Sequence, residues 1–499
     1  MAERPPERPI GARALRSAFW AYGSYVGGRL LVLVATAILA RLLDPEDFGL
    51  VALGLVFMAA LETVKDLGLA QALVAQKPED VYDRADTVFV GTVALGVALS
   101  AVVAALSPLA AYFFDEPELT KIMPVLGLTF TIRSLGATHY ALAQKEMRFK
   151  ARTIAELADV LSRGLAGIAL ALAGAGAWAL VVGYVVGVLA LVVVLWSVIP
   201  WRPRLRVVRA HLRSLLRFGG AITGVDVLSA VLSNADYVFV GKVLGPAALG
   251  IYTLAFRLPE LAIINVANVA GDVLFPTFAN VERRALAHTY TVALRYMLIV
   301  CMPLAAGMAV LSDPLVEVAF GDRWGGAVEP MQVLTIYAFA VTVGIPAGTA
   351  YKAMGRADIL LKLAVPRAIL FIAALAVLVN SGLVAVAASH AGVAGLFSVI
   401  GILIASRMMD VPVHRLLRLG VAPAVATAAL AAVALALDAL IEPAWASLVV
   451  AAPAGGLAYA AVLWALAPDA VRDFRTKLRR PAVVPSEGIT AVRETDVVA

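Results

Sequence analysis

Gly27-Gly-Arg29-Leu-Leu-Val-Leu-Val-Ala-Thr-Ala-Ile-Leu-Ala-Arg41-Leu-Leu-Asp-Pro45-Glu-Asp-Phe-Gly49-Leu50 is the stretch on which the fold turns. It reads as the end of a long apolar helix, a turn punctuated by Pro45 and Gly49, and the start of a second apolar helix. Arg29 lies midway through the apolar run Ala18–Leu42. A charge at bilayer depth costs roughly 2.5–3.5 kcal/mol on insertion scales, so such a residue faces a wet cavity or a partner. Arg257 sits the same way inside Leu249–Phe278. Arg133, Glu156, Asp159, Arg163, Asp226 and Asp236 are also flanked by apolar residues.

The rest of the chain repeats this pattern. With 62% hydrophobic and 15% charged residues, it does not describe a soluble globule. About 20 apolar residues span the hydrocarbon core as a helix. The 499 residues divide into about fourteen such spans: 17–42, 48–73, 87–113, 119–143, 152–173, 176–199, 214–241, 247–278, 289–312, 328–351, 359–380, 383–406, 417–438 and 445–467. The first follows a basic start, runs past 20 residues and has no small-residue cleavage site, so it reads as a retained helix. The single cysteine, Cys301, excludes an intramolecular disulfide.

Connections between the spans alternate in charge. One set is basic, as in Lys145–Arg152, Arg202–Arg217, Arg407–Arg418 and Arg472–Arg480; the other is acidic or nearly neutral, as in Asp44–Asp47, Asp115–Glu118 and Asp313–Asp322. Lys/Arg excess marks the cytoplasmic side, so both termini are expected inside a bacterial inner membrane. The loop Gln76–Asp86, with four acids against Lys77 and Arg84, is the exception. The basic clusters read as topology and attraction to anionic membrane lipids, not as a nucleic-acid footprint.

The opening stretch also recurs. Shifted by 201 residues, Arg41-Leu-Leu-Asp-Pro45-Glu-Asp-Phe-Gly49-Leu50 falls on Lys242-Val-Leu-Gly-Pro246-Ala-Ala-Leu-Gly250-Ile251. Six spans separate the copies, an even number, so they insert with the same orientation. This predicts an all-α polytopic membrane protein in two six-helix lobes related as a parallel pseudo-repeat, with substrate held where the lobes meet. The lobes are expected at 1–200 and 201–410, followed by two additional C-terminal helices at 411–468 and a cytoplasmic tail at 469–499.

Several segments carry a family likeness: Leu39-Ala-Arg-Leu-Leu-Asp-Pro-Glu-Asp-Phe-Gly49; Gln144-Lys-Glu-Met-Arg-Phe-Lys150 with Glu156; Asn234-Ala-Asp236-Tyr-Val-Phe-Val-Gly241-Lys-Val-Leu-Gly245; Leu249-Gly-Ile-Tyr252; Ala255-Phe-Arg257; Pro276; and Phe320-Gly-Asp-Arg-Trp324. Over about the first 360 residues the chain resembles the Wzx-type flippases, the polysaccharide-transport branch of the MOP superfamily that includes the colanic-acid exporter. The resemblance implies about fourteen helices and, as cargo, an undecaprenyl-diphosphate-linked oligosaccharide handed from the cytoplasmic to the outer leaflet. Lipopolysaccharide or exopolysaccharide biosynthesis would be its setting, with a cognate polymerase and glycosyltransferases as partners. No cofactor is implied.

Each buried charge has a functional and a structural reading. Arg29, Lys65, Arg133, Arg163 and Arg257 are candidates for a cavity that takes an anionic ligand, because a guanidinium binds phosphate bidentately and stays charged. Equally, Arg29 can pair with Glu62 or Asp66, and Glu62, Lys65 and Asp66 can neutralise one another on one helix face. Glu156, Asp159 and Arg163 form a stripe that either pairs with Arg133 or extends a cationic wall. Arg257 and Glu260 can cancel, yet Pro259 between them kinks the helix and suits a gate. Asp226 and Asp236 are candidate coupling carboxylates, Asp236 read as near the outer end of its helix beside Asn234. The five histidines, His390 among them, show no metal-ligand spacing.

These features separate the function classes. No Gly-x-x-x-x-Gly-Lys-[Ser/Thr] phosphate loop exists, since Gly241-Lys242 is followed by Val243. An ion gradient or removal of product must therefore supply direction. A drug/cation antiporter of the MATE type needs an acidic, aromatic cavity, and the arginines disfavour it. A lipid II flippase shares the cationic cavity. A membrane glycan polymerase or acyltransferase needs a catalytic constellation that the short outer connections do not carry, so the chain is not read as an enzyme.

Overall fold

The Asp44-Pro45 corner behaves as its sequence predicts. Asp44 precedes the helix, Pro45 begins it with a backbone angle preset for the first turn, and the Asp47 carboxylate accepts the Asp44 backbone N–H at 3.1 Å. That cap, with Glu46 and Asp47 against the positive end of the helix dipole, fixes where the second helix starts.

The computed structural model describes residues 27–62, 69–74, 81–208, 234–469 and 472, and among them every regular element is helical. The first half holds α1 (27–42), α2 (Pro45–Glu62), α3 (Leu69–Val74), α4 (Val81–Phe114), α5 (Leu119–Lys145), α6 (Phe149–Leu172) and α7 (Ala177–Val198). Next come α8 (Ala235–Pro259), a π-helical turn (Glu260–Ile264), α9 (Asn265–Ala279), α10 (Arg283–Val310), α11 (Ser312–Phe320) and α12 (Val328–Ala353). The chain continues through α13 (Asp358–Leu378), α14 (Leu383–Met408), α15 (Val413–Asp438) and α16 (Ala444–Leu466).

Among the described residues, nine helical runs are long and apolar enough to cross a membrane by length and composition. Of the helices outside that set, α5 and α6, with 27 and 24 residues, are also long enough, reaching about 40 and 36 Å at 1.5 Å per residue. Charge is what lowers the hydropathy of α6, which carries Lys150, Arg152, Glu156, Asp159 and Arg163.

The recurring Pro-x-x-x-Gly segments meet each other. Within α8 the backbone breaks at Gly245 (φ 86°), a left-handed conformation suited to glycine, and a new helix starts at Pro246. This second helix crosses α2 so closely that a Cβ on Gly49 would lie 1.7 Å from the Pro246 carbonyl oxygen. A Cβ on Gly250 would lie 1.9 Å from the Pro45 carbonyl oxygen. Each glycine faces the proline of the other copy, a reciprocal arrangement in which only hydrogen fits.

Further links join the same, acidic end of the bundle. Lys242 Nζ reaches Asp115 at 2.8 Å, and Arg323 reaches Asp44 at 2.9 Å. Arg41 donates to the Val318 carbonyl at 2.6 Å. The Phe320–Trp324 segment is explained here: Trp324 is fully buried, donates its indole N–H to the Ala40 carbonyl at 2.8 Å, and meets Phe48 edge-on at 5.2 Å. At the basic end, the chain after α7 is tied under α4 and α5. His139 stacks on Trp196 at 4.7 Å, and Arg204 donates its backbone N–H to Asp86.

Pro259 acts as the sequence predicts, in a specific form. Proline removes a backbone N–H from the ladder, and the helix relaxes into the π turn Glu260–Ile264 before resuming as α9.

Two outcomes follow. Gly49→Ala or Gly250→Ala forces α2 and α8 apart at the acidic end, an overpacking cost of about 1–3 kcal/mol. A Cys pair placed at Asp115 and Lys242 is expected to be bridged readily by a short bis-maleimide in the parent and poorly in either variant. Cys301 is buried and does not compete. Secondly, Glu116, in the loop between α4 and α5, is held above the ordinary carboxylate range by its burial and by Glu46, Glu118 and Asp115. The fold favours its neutral form, so this contribution to stability is full below the ordinary glutamate range and is lost as pH rises through the raised value. Glu116→Gln should therefore raise thermal stability at neutral pH relative to the parent, with the difference vanishing in acid.

Candidate functional site

Where α8 crosses α2, the two helices diverge toward the basic end, and α1, α6 and α7 close the remaining sides. The result is a cavity of about 410 Å³. Its walls are mostly apolar, with residues such as Leu39, Phe48 and Leu55. Small residues on α6, Gly164 and Gly167, leave room for it. Three guanidinium groups enter this apolar shell: Arg29 from α1, Arg163 from α6 and Arg257 from α8. They lie far apart in sequence, and the helix crossing gathers them.

Two of the guanidiniums are held in a definite way. Arg163 Nη2 lies 2.8 Å from Asp159 Oδ1, one turn earlier on α6, and its guanidinium carbon sits 4.2 Å from the centre of the Tyr184 ring on α7. The carboxylate and the ring face together fix a planar group that would otherwise search many rotamers. Arg257 Nη1 lies 3.3 Å from Glu260 Oε2, and both side chains remain about one-third exposed. Among the described lining residues, three guanidiniums against the Glu260 carboxylate leave a formal excess of two positive charges. Asp159, standing behind Arg163, lowers the effective excess. The arrangement is a cationic, partly wet chamber with aromatic and apolar walls. It suits a ligand carrying a compact anion next to a less polar body.

The sequence candidates therefore divide. Arg29, Arg163, Arg257 and Glu260 line one cavity, and Pro259 begins the helix distortion at its edge. Arg133 does not join them; it stands on α5 at 3.8 Å from Glu62, an ion pair within the first set of helices. The Glu156 end of the predicted stripe is also structural, since Glu156 pairs with Arg152 at 3.8 Å and accepts the Tyr140 hydroxyl at 2.7 Å. Lys65 and Asp226 lie outside the described residues.

Asp236 is placed differently from the sequence reading. It stands nine residues before the break at Gly245, about 13 Å along the helix at 1.5 Å per residue, and is 1% exposed. It is a buried carboxylate in the first described turn of α8, two residues after Asn234. Its Oδ2 accepts the Tyr252 hydroxyl at 2.9 Å and lies 3.4 Å from His390 Nδ1. His390 was the residue that sequence reasoning missed. The signal was available, because His390 interrupts an apolar run as Arg29 does, but attention went to metal spacing. Two shallower openings at the basic end, of about 530 and 730 Å³, carry fewer charged groups.

A helical bundle with membrane-crossing helices and a charged chamber between its two Pro-x-x-x-Gly hairpins has the architecture of a membrane transporter. The chain belongs to the polysaccharide biosynthesis protein family, which matches residues 38–329. It is 28% identical over 355 residues to the lipopolysaccharide biosynthesis protein WzxC of Escherichia coli K12, covering 70% of this chain and 71% of that one. Its fold is similar to that of the lipid II flippase MurJ in an inward closed conformation. The TM-score is 0.73 at 14% identity, over 91% of this chain and all of that one. It is also similar in fold to an inward-facing multidrug resistance MATE family transporter of the MOP superfamily. There the TM-score is 0.62 at 16% identity, over 77% and 94% of the two chains.

The charge balance of the cavity can be tested without knowing its natural ligand. Glu260→Gln removes the one carboxylate among the described lining residues and should tighten binding of inorganic pyrophosphate about three- to ten-fold, a gain of ~1 kcal/mol. Arg257→Gln should weaken it by a similar factor. Isothermal titration of the purified protein reads both.

Proposed function

We propose that this protein is a flippase that moves an undecaprenyl-diphosphate-linked oligosaccharide from the cytoplasmic to the outer leaflet of a bacterial inner membrane. Its setting is the biosynthesis of exopolysaccharide or lipopolysaccharide. One observation carries the reading: Arg29, Arg163 and Arg257 converge in a single chamber between the two copies of the repeated hairpin.

The physical problem defines what the chamber must do. A diphosphate and its sugars cannot enter hydrocarbon unaided, because each desolvated charge and unpaired hydroxyl costs several kcal/mol. Guanidiniums replace the hydration shell of the diphosphate with planar, charge-assisted hydrogen bonds. Tyr184 and Tyr237, which also line the chamber, offer ring faces and hydroxyls to sugars, and the prenyl tail stays in lipid. A MATE-type cationic cargo would be repelled by the same three guanidiniums.

In this reading about fourteen helices form two parallel six-helix lobes and two added C-terminal helices, with both termini in the cytoplasm. The acidic end then faces outward. The crossing at Gly49 and Gly250, with the Lys242–Asp115 and Arg323–Asp44 pairs, closes the outer side, while the chamber opens toward the basic, cytoplasmic side. Alternating access requires those outer links to part. The π turn after Pro259, beside the Arg257–Glu260 pair, is the flexible point of α8 that carries the change to the chamber. A cognate polymerase and glycosyltransferases act on the same lipid-linked glycan before and after this step.

Arg29→Ala and Arg257→Ala are each expected to reduce delivery of the lipid-linked glycan to the outer leaflet about ten-fold or more, as befits loss of a charge-assisted anchor. Protein abundance should be unchanged. Arg257→Lys should recover only part of the loss, because an ammonium cannot form the bidentate pair. Normal delivery in both alanine variants would remove these residues from the mechanism.

A further inference from the structure

Behind the α8 wall of the chamber lies a second charged site, separate from the three guanidiniums. Asp236, on α8, is 1% exposed. Of its two oxygens, Oδ2 accepts the Tyr252 hydroxyl at 2.9 Å and faces His390 Nδ1 at 3.4 Å, while Oδ1 has no hydrogen-bond partner. His390, on α14, has a side chain only 12% exposed. Three aromatic rings surround it: Tyr337 of α12 with centroids 3.9 Å apart, Phe371 of α13 at 4.5 Å, and Phe256 of α8 stacked parallel at 6.4 Å. Ring faces around an imidazole with a carboxylate on its edge make an enclosure that suits a protonated, positively charged ring.

We propose that His390 and Asp236 form the proton-carrying pair of this transporter, binding and releasing one proton as the chamber changes state. The pair has two forms. With His390 protonated, imidazolium and carboxylate neutralise each other and tie α14 to α8. When the proton leaves to water, a buried carboxylate remains, held by the Tyr252 hydroxyl alone, and the electrostatic tie between the helices is gone. No bond other than N–H forms or breaks, and the proton passes between the imidazole nitrogen and water.

The position of the pair links it to the chamber. Tyr237, the residue after Asp236, lines the chamber and meets the Tyr252 ring edge-on at 5.7 Å. Phe256, against His390, precedes Arg257, whose guanidinium enters the chamber. A change in charge at the pair thus acts on the helix that carries Arg257 and Glu260. The other titratable or charged groups around it are few. On α8 they are Tyr237, Tyr252 and, further along, Arg257; Glu260 follows at the π turn. Tyr337 comes from α12, and Arg367 of α13 acts on Tyr337. Among the described residues none is a second carboxylate within bonding distance of Asp236, and together they offer one carboxylate and an aromatic cage. That donor set favours a proton.

The proposal rests on the flippase reading for what the proton drives, but the site is testable without it. In full-length protein carrying nitrogen-15 histidine in lipid nanodiscs, the resonance lost in His390→Gln should change between its protonated and neutral forms as pH is varied. In Asp236→Asn its midpoint should fall by about one unit or more, a ten-fold loss of proton affinity. Tyr252→Phe, which keeps the ring packing, gives a second readout and should shift the midpoint upward, since it removes the remaining support of the lone carboxylate. A resonance that does not titrate, one unmoved in both variants, or one displaced by sodium at fixed pH would overturn the proposal.

Coupling is read separately, in vesicles containing a lumenal pH dye and undecaprenyl-diphosphate chitobiose as probe. The parent should move protons only with the probe, and His390→Gln should lower the number of protons moved per probe molecule. Probe movement without any pH change in the parent would overturn coupling. If the probe does not move at all, the cargo reading falls, and the histidine titration alone decides the site.

Discussion

The crossing of α2 and the second half of α8 is the constraint on which the structure depends. Two helix starts meet with a glycine of each against the proline carbonyl of the other, at separations that leave space only for hydrogen. Within a bilayer there is little hydrophobic drive between helices, because lipid tails are as apolar as leucine. Close backbone approach through small residues is the available substitute, with dispersion summed over many short contacts. The crossing fixes the distance and angle at which the two hairpins diverge, and so the width of the chamber between them. Trp324, inserted over Ala40 and against Phe48, and the ion pairs of the acidic end reinforce the same junction.

From that geometry the electrostatics follow. A guanidinium on α1, one on α6 and one on α8 would each be an isolated cost in hydrocarbon. Gathered around one chamber, they share water, a ring face and two carboxylates, and the cost turns into a recognition surface. The balance is unequal along the walls. Arg163 is held by Asp159, whose side chain is 13% exposed, and by the Tyr184 ring, whereas Arg257 pairs with the more open Glu260, 34% exposed. Binding of an anion can therefore compete with Glu260 more readily than with Asp159. This places the responsive charge on α8, the helix distorted just beyond it by Pro259 and tied further back to α14 through Asp236 and His390.

Some of this was legible in the chain before any coordinates. The apolar runs placed the helices, and the corner at Asp44–Gly49 and its copy at Gly245–Gly250 fell where the punctuation said they would. Arg29, Arg163, Arg257 and Glu260 were recognised by one rule, that a charge inside an apolar run needs a wet or paired environment. That rule does not specify which environment. Arg133 satisfied it as well, yet it pairs with Glu62 and is not among the residues that line the chamber. Asp236 satisfied it too, but its depth was misjudged, because the helix runs on to Gly245 before turning. His390 escaped notice because a histidine can be neutral and carries no obligation until a carboxylate is seen beside it.

What the sequence determined by itself is the medium and the elements: a chain this apolar must run as helices, since helices satisfy every backbone group without water. It also set the two Pro-x-x-x-Gly corners and the set of residues that could not be left in lipid. What only the tertiary structure decided is how those residues are shared out: three guanidiniums to one chamber, one to a pair within the first helices, one carboxylate to an aromatic-lined enclosure. Partition of this kind depends on which faces of distant helices meet. Side-chain periodicity within one helix records which face is polar, but it holds no information on the rotation and crossing angle of the partner.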